Sequence, residues 1–298
     1  MERKNLKLSI IIPLYNKADS IAHTLQSVLG QNYSDFELII VNDGSTDQSL
    51  QIVTQFSDPR IRLINQENQG VSAARNRGAQ EACGEWLLFL DADDTLYPDA
   101  IQSLISLHIQ YPFVAICSGN YITKFSNEKI IPTCSLSQTK LIDLPFKQRW
   151  FRKWYLRLGS FMCAKKLFLQ IGGFKKNITW GEDIYFTNKL IEGQTIAYTT
   201  SIIMCYERRY SSLSKKQFPL EQCIAWHLIP KSSDLYRQLT DAELIGKDIL
   251  WNILKGRIQN ASHLIIKNIK YAPLISFALI WRLWLRSSNY VMKQFKSQ

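Results

Sequence analysis

The chain has little that would mark it as secreted, metal-clustered or membrane-spanning. Its six cysteines (Cys83, Cys117, Cys134, Cys163, Cys205 and Cys223) form no C-x-x-C pair, and none stands at zinc-ligand spacing from a histidine. Several lie inside apolar runs, as buried free thiols do. A reducing cytosol is therefore the expected compartment. No run of about 18–20 apolar residues occurs, so no spanning helix is expected. The nearest approach, Tyr271 to Leu285, is interrupted by Arg282. The start, Met1 to Asn5, lacks the apolar segment and small-residue cleavage site of a signal peptide. There is no G-x-x-x-x-G-K-S/T loop and no G-x-G-x-x-G fingerprint, which argues against ordinary nucleotide hydrolysis and dinucleotide redox chemistry. Internal repeats and low-complexity runs are also missing.

What is there suffices for a sizeable core. The 298 residues are 46% apolar and 20% charged, enough for one large domain or one domain with an appendage. The net charge of +11 is unevenly spread. Residues 1–140 hold 11 Lys/Arg and 15 Asp/Glu, a balance of −4, whereas residues 141–298 hold 25 and 10, a balance of +15. Such asymmetry fits either an anionic partner for the second half or a solvated basic surface.

The first third alternates strand and helix patterns. Leu8 to Ile12 is a β-branched run ending at Pro13, and Phe36 to Val41, Ile61 to Ile64 and Trp86 to Leu90 are three more. Between them, Ile21, Leu25, Val28 and Leu29 fall at helical spacing, a helix capped at Ser45 or Thr46 runs through Phe56, and Ser72 to Ala82 reads as a third helix. Repeated strand–helix units with near-continuous apolar strands predict a mostly parallel sheet covered on both faces. Ligands of such sheets bind beyond the carboxyl ends of the strands. Three polar clusters occupy those ends: Tyr15-Asn16, Asn42 to Ser45, and Asp91 to Asp94. Further on, Val114 to Cys117, Tyr121 to Phe125 and Lys129 to Ile131 suggest strands or hairpins. Trp180 to Ile191 reads as a helix and Thr195 to Tyr206 as a strand. From about Phe218 the pattern is helical to the end.

Each constellation has two readings when taken alone. Three carboxylates within Asp91-Ala92-Asp93-Asp94 repel one another unless a hard divalent cation such as Mg²⁺ or Mn²⁺ is near; equally, such a turn can cap the next helix. Asp43, followed by Gly44, can accept a nucleobase N–H or sit in an ordinary Asp-Gly turn. The small residues Ser72, Ala73 and Ala74 open a helix whose Arg75 and Arg77 meet a phosphate or simply face solvent. Glu182 and Asp183 supply a general base or offset a helix dipole.

Together these segments resemble the family-two glycosyltransferases of the GT-A fold. The matching pieces are Ile10 to Lys17, Val41 to Asp47, Gly70 to Gly78, Phe89 to Asp94 and Gly181 to Asp183, in family order over roughly residues 7–215. The resemblance implies a Rossmann-like α/β domain over residues 1–217, with a nucleotide-binding half (1–110) and an acceptor half (111–217). A basic helical region follows over 218–298. It also implies roles. Pro13, Tyr15 and Asn16 floor the nucleotide site; Asp43, with Gly70 and Arg75 nearby, binds the donor; Asp91 and Ala92 hold the ribose or sugar side. Asp93 and its rival Asp94 hold Mn²⁺ or Mg²⁺, Asp183 is the catalytic base supported by Glu182, and Arg209 closes over the diphosphate. Many relatives carry Asp where this chain has Asn42, and Arg near position 207 where it has Glu.

The implied reaction is inverting transfer from a nucleotide-sugar, commonly a UDP-sugar, to a hydroxyl of a saccharide or lipid-linked saccharide destined for a surface polysaccharide. One base and one displacement suffice, with no covalent intermediate. A haloacid-dehalogenase-type phosphohydrolase is the alternative, because Asp91 to Thr95 matches its D-x-D-x-T/V motif. A non-catalytic membrane-binding module is the other. No nucleic-acid motif is present. The tail beyond Pro273 mixes Trp281, Trp284, Tyr290 and Phe295 with Arg282, Arg286, Lys293 and Lys296, as interfacial helices do. It suggests contact with an anionic membrane surface, on the inner face of the plasma membrane; packing on its own domain or in an oligomer would use the same pattern.

Overall fold

The computed structural model of the chain describes residues 7–125, 129–151, 153–207, 218–281 and 283. It divides into two compact units, Met1–Gln217 and Phe218–Gln298.

The first unit is built on one ten-stranded sheet. Strands β1 (Leu8–Leu14), β2 (Phe36–Asp43), β3 (Ile61–Gln66) and β4 (Trp86–Phe89) alternate with helices α1 (Ile21–Leu29), α2 (Ser49–Thr54) and α3 (Val71–Glu81). All pairs among these four strands are parallel, in the order β3-β2-β1-β4. β1 and β4 are buried along their whole length, as a strand covered on both faces must be. β1 runs through Pro13, which is in register with Val41, and ends one residue later. α3 approaches the sheet closely because of Gly78: a Cβ there would lie 2.4 Å from Cγ2 of Ile11.

The remainder of the sheet is mixed. After the short β5 (Thr95–Leu96) and helix α4 (Ala100–Gln110) come β6 (Ile116–Lys124), β7 (Ile130–Pro132), β8 (Lys140–Ile142) and α5 (Pro145–Trp150). β9 (Phe161–Ala164), α6 (Lys165–Gln170), α7 (Glu182–Ile191) and β10 (Ile196–Glu207) complete the unit. The sheet continues from β4 as β9-β6-β10-β5, with β7 on β6 and β8 on β10. β9 is antiparallel to both neighbours. The two apolar runs expected as separate strands around 114–125 are one strand. Gly119 between them does not break it; it lets the strand pass under Ile203, where a Cβ would stand 2.2 Å from Cγ1. Phe89, Phe168, Phe174 and Phe186 cluster beneath the sheet edge, with Phe174 and Phe186 stacked at 4.0 Å. This cluster ties α6 and α7 to β4 and so fixes where α7 begins.

The second unit is helical: α8 (Ile224–His227), α9 (Leu235–Leu254), α10 (Ile258–Lys267) and a helical segment reaching Trp281. Asp234 caps α9, its carboxylate accepting the backbone N–H groups of Tyr236 and Arg237. Ala261 and Leu264 of α10 are buried, whereas Leu254, Ile258, Ile266, Ile269 and Ile280 are exposed. Among the described residues no single helix is long and apolar enough to cross a membrane. α10 and Ile269–Trp281, bent by 74°, reach that length and composition only as a pair.

Candidate active site

The carboxyl ends of β1, β2 and β4 share one edge because parallel pairing aligns them. Leu14 is in register with Asn42, and Ile11 with Phe89. The turns beyond them are bolted together by side chains. Asn16, at φ 50°, adopts the left-handed conformation that asparagine tolerates. Its carboxamide oxygen accepts the N–H of Thr46 at 2.8 Å and of Asp47 at 3.3 Å, and its nitrogen donates to Oγ1 of Thr46. Ser49 Oγ accepts the N–H of Lys17, and Asp47 accepts that of Ala18. The acidic turn is fixed to α1, where Ser20 and Thr24 both donate to the carbonyl of Ala92 at 2.9 and 3.0 Å. Tyr15 stays 44% exposed beside this edge, whereas Pro13 is buried in β1.

Asp43 is buried and has three internal donors: Gln66 Nε2 at 2.7 Å and the backbone N–H groups of Gln69 and Gly70 at 2.9 Å each. It therefore shapes the loop leading into α3. Gly70 needs its freedom here: φ is +86°, and nothing lies within 4 Å of where a Cβ would be. A cavity of about 290 Å³ lies along this side of α3, lined by Gln66, Gln69, Asn76, Arg77, Gln80 and Lys176 among others. It includes none of the acidic turn.

The three carboxylates of the turn have different surroundings. Asp91 Oδ1 accepts Arg75 Nη2 at 2.6 Å. Burial works against its charge, but Arg75, with Arg157 and Lys17 behind it, outweighs burial and holds the carboxyl below its usual value. Asp93 is ion-paired with Lys17. Burial, opposed by Lys17 and assisted by Asp91, pushes it up. Asp94 is fully buried. Its Oδ1 accepts the N–H of Glu207 at 3.1 Å, tying the turn to β10, while Oδ2 has no partner among the described residues. Burial and then its two acidic neighbours push Asp94 well up.

Arg75 joins the turn to α7. Almost fully buried, it reaches Asp91 with Nη2 and Glu182 Oε1 with Nη1 at 3.1 Å, and its guanidinium lies 5.0 Å from the Phe174 ring centroid. Glu182 is buried at the start of α7. Burial, then Asp183, push its carboxyl up to about 7, with Arg75 opposing. Asp183 is half-buried, and one of its oxygens accepts the N–H of Ile184 at 2.8 Å. Gly181 before it adopts φ 82°.

Arg75 thus joins Asp91 to Glu182, Lys17 holds Asp93 and the Glu207 N–H holds Asp94, while Gly70, bound by Asp43, caps the start of the helix that carries Arg75. Arg77 is paired with Glu81 on the outer face of that helix. Arg209 lies outside the described residues. The sequence reading missed two residues of this group. Lys17 closes the first matching segment, but no sequence signal assigned it a role. Arg157 lies in a stretch without periodicity, and no local signal marks it.

The donor set suits a divalent cation of the open kind. Mg²⁺ is commonly held by one or two carboxylates, with phosphate oxygens and water completing the shell. Asp91, at 30% side-chain exposure, and Asp93, at 14%, are the accessible carboxylates, and the unpartnered Oδ2 of Asp94 leaves the turn electrostatically unsatisfied. A closed protein cage does not fit: among the described residues no three His, Cys, Asp or Glu converge.

The family model "Glycosyl transferase family 2" matches residues 9–175. The chain belongs to glycosyl transferase family 2. The phosphohydrolase reading of Asp91 to Thr95 ends there. Among relatives, the chain is 32% identical to the uncharacterized glycosyltransferase YibD of Escherichia coli, over 72% of this chain and 61% of that protein. It is 40% identical to glycosyltransferase GlyA of Streptococcus pneumoniae, over 70% of this chain and 32% of GlyA. The chain thus spans under two thirds of these relatives' lengths. Its fold is similar to that of Staphylococcus aureus TarS in complex with UDP-GlcNAc: TM-score 0.68, 20% identity, 92% of this chain and 80% of that one covered. The mixed sheet with flanking helices is accordingly of the GT-A type.

Proposed function

We propose that the chain transfers a sugar, with inversion, from a UDP-sugar to an acceptor hydroxyl. The observation that carries this reading is the link through Arg75, which connects the acidic turn at the sheet edge to the carboxylates opening α7. Donor and acceptor chemistry then meet across one buried guanidinium. Asp183 is the base: it is half-exposed, whereas Glu182 is buried and engaged by Arg75, and so serves to position it. As the acceptor oxygen attacks, Asp183 takes its proton. Asp91, held by Arg75, orients the ribose or the sugar. Lys17 aims Asp93. Asp93 would hold a Mg²⁺ or Mn²⁺ ion, which would supply charge neutralisation for the departing diphosphate. Full burial and the bond to Glu207 make Asp94 the clamp of the turn. The UDP-GlcNAc bound to TarS supports a UDP-linked hexosyl or N-acetylhexosaminyl donor.

The second unit supports a membrane-surface acceptor. After Asp248 the chain has no Asp or Glu and carries eight Lys/Arg. Exposed Trp251 lies beside Lys255, 4.9 Å from its ring centroid, an interfacial combination. In this reading the enzyme sits on the cytoplasmic face of the plasma membrane and extends a lipid-linked saccharide. The test is a panel of nucleotide-sugars, with Mn²⁺ or Mg²⁺ and without, scored by binding and by release of nucleoside diphosphate. Turnover of a UDP-sugar that stops in Asp93→Asn supports the reading; folded protein that binds no donor sinks it.

A further inference from the structure

Among the described residues three cations act on Asp91: Arg75, Arg157 and Lys17. Two are committed to carboxylates, Lys17 to Asp93 and Arg75 to Asp91 and Glu182. Arg157 forms no ion pair among the described residues. Yet the fold holds it against the turn from two directions. Its guanidinium lies 3.7 Å from the ring centroid of Tyr206 and 6.0 Å from that of Tyr121. Tyr206 immediately precedes Glu207, whose N–H is bound by Asp94. On the other side, Gly159 at φ +86° is pressed against the strand that leads into the turn. A Cβ there would stand 3.0 Å from Leu90 and 2.7 Å from Met204. Ser160 pins the loop, its N–H and hydroxyl both donating to the Arg157 carbonyl at 3.0 and 2.8 Å.

A guanidinium held this way has exchanged water for a hydrogen bond with Tyr121 and two aromatic faces, with no direct ion pair among the described residues, and these compensate only part of the loss. Burial disfavours its charge, but Tyr121, Asp183, Tyr206 and Asp94 keep it charged. Its planar fork matches a phosphate bidentately. We propose that Arg157 binds the outer phosphate of the donor's nucleoside diphosphate, the one bonded to the sugar. Its stacking on Tyr206, next to the residue bound by Asp94, and the contact of Gly159 with Leu90, the residue before Asp91, put it beside the acidic turn. In the displacement, the bond from the anomeric carbon to the phosphate oxygen breaks and its electron pair goes to that oxygen. The acceptor oxygen forms the new bond, and its proton passes to the Asp183 carboxylate. The leaving group gains a negative charge as this occurs, so Arg157 binds it more strongly than it binds the intact donor.

This inference rests on the donor reading above, and the experiment separates the two. Full-length native chain, Arg157→Gln and Arg157→Lys are titrated calorimetrically with UDP, UMP and uridine in the presence of Mg²⁺. The native chain is expected to prefer UDP to UMP. Arg157→Gln should shrink that preference about ten- to hundredfold while leaving uridine affinity unchanged, which also reports intact folding. Arg157→Lys should recover part of the loss. A Gln variant that keeps the native preference, or that loses uridine binding in proportion, overturns the role of Arg157 alone. A native chain with no preference for UDP overturns both readings.

Discussion

The edge of the first unit and the last fifty residues of the chain use positive charge in opposite ways. At the sheet edge Lys17 and Arg75 are each aimed at a carboxylate, and Arg75 is almost fully buried between two. In residues 249–298 eight cations face no acidic residue of their own segment. Buried pairs are screened little by salt, whereas exposed charges lose their reach beyond about 8–10 Å at physiological ionic strength. One arrangement therefore fixes geometry, whereas the exposed Lys255, Lys267 and Lys270 of the other make a salt-sensitive surface. Positive charge in a sequence does not by itself identify a partner; where its counter-charges sit decides its use.

The sharpest way to break this comparison is at the base. Asp183→Asn should lower kcat about 10²- to 10⁴-fold with little change in KM, measured by donor turnover, and should leave lipid binding untouched. Next is Arg75→Met, which strands Asp91 and Glu182 in a buried setting. It should cost about 3–5 kcal/mol in denaturant unfolding. A small cost would mean that this pair is no hub. On the other side of the comparison, changing Lys255, Arg257 and Lys270 together to Gln should weaken sedimentation with vesicles containing anionic lipid, by about 1 kcal/mol per residue. Turnover of a soluble acceptor should not change, and high salt should mimic the triple variant. The smallest effect concerns pH. Burial, then Asp183, raise Glu182 from its usual 4.5 to about 7, so its contribution to stability is present below 4.5 and is lost as pH rises to about 7. Glu182→Gln should flatten that decline in thermal melts; a parallel decline in the variant would assign it to other groups.

Much of the sheet edge was readable because it is made of contiguous pieces. The spacing of Ile21, Leu25, Val28 and Leu29 is the α1 of the structure, and the three strand-end clusters meet because parallel pairing leaves them no other place. The second half of the sheet was less readable for a physical reason. β9 is four residues long and finds its partners at Trp86-Leu87 and Ile116 to Ser118, far away in sequence. The runs Val114 to Cys117 and Tyr121 to Phe125 are one strand, with a close approach at Gly119 between them. Arg157 belongs to the site only through Tyr206 and Gly159, contacts that no local pattern encodes.

β9 also constrains the order of assembly. In the sheet, β6 and β10 reach β4 only through it. The four parallel strands can pair as soon as residue 89 is made, through short strand–helix–strand connections. The other side of the ladder must wait for residues 161–164, at a higher entropic cost of loop closure. A chain emerging from the ribosome would therefore hold the four parallel strands and their turns well before β10 joined them. Pulse-labelled hydrogen exchange during refolding should find β1 and β2 amides protected ahead of those in β6 and β10; simultaneous protection would refute this order.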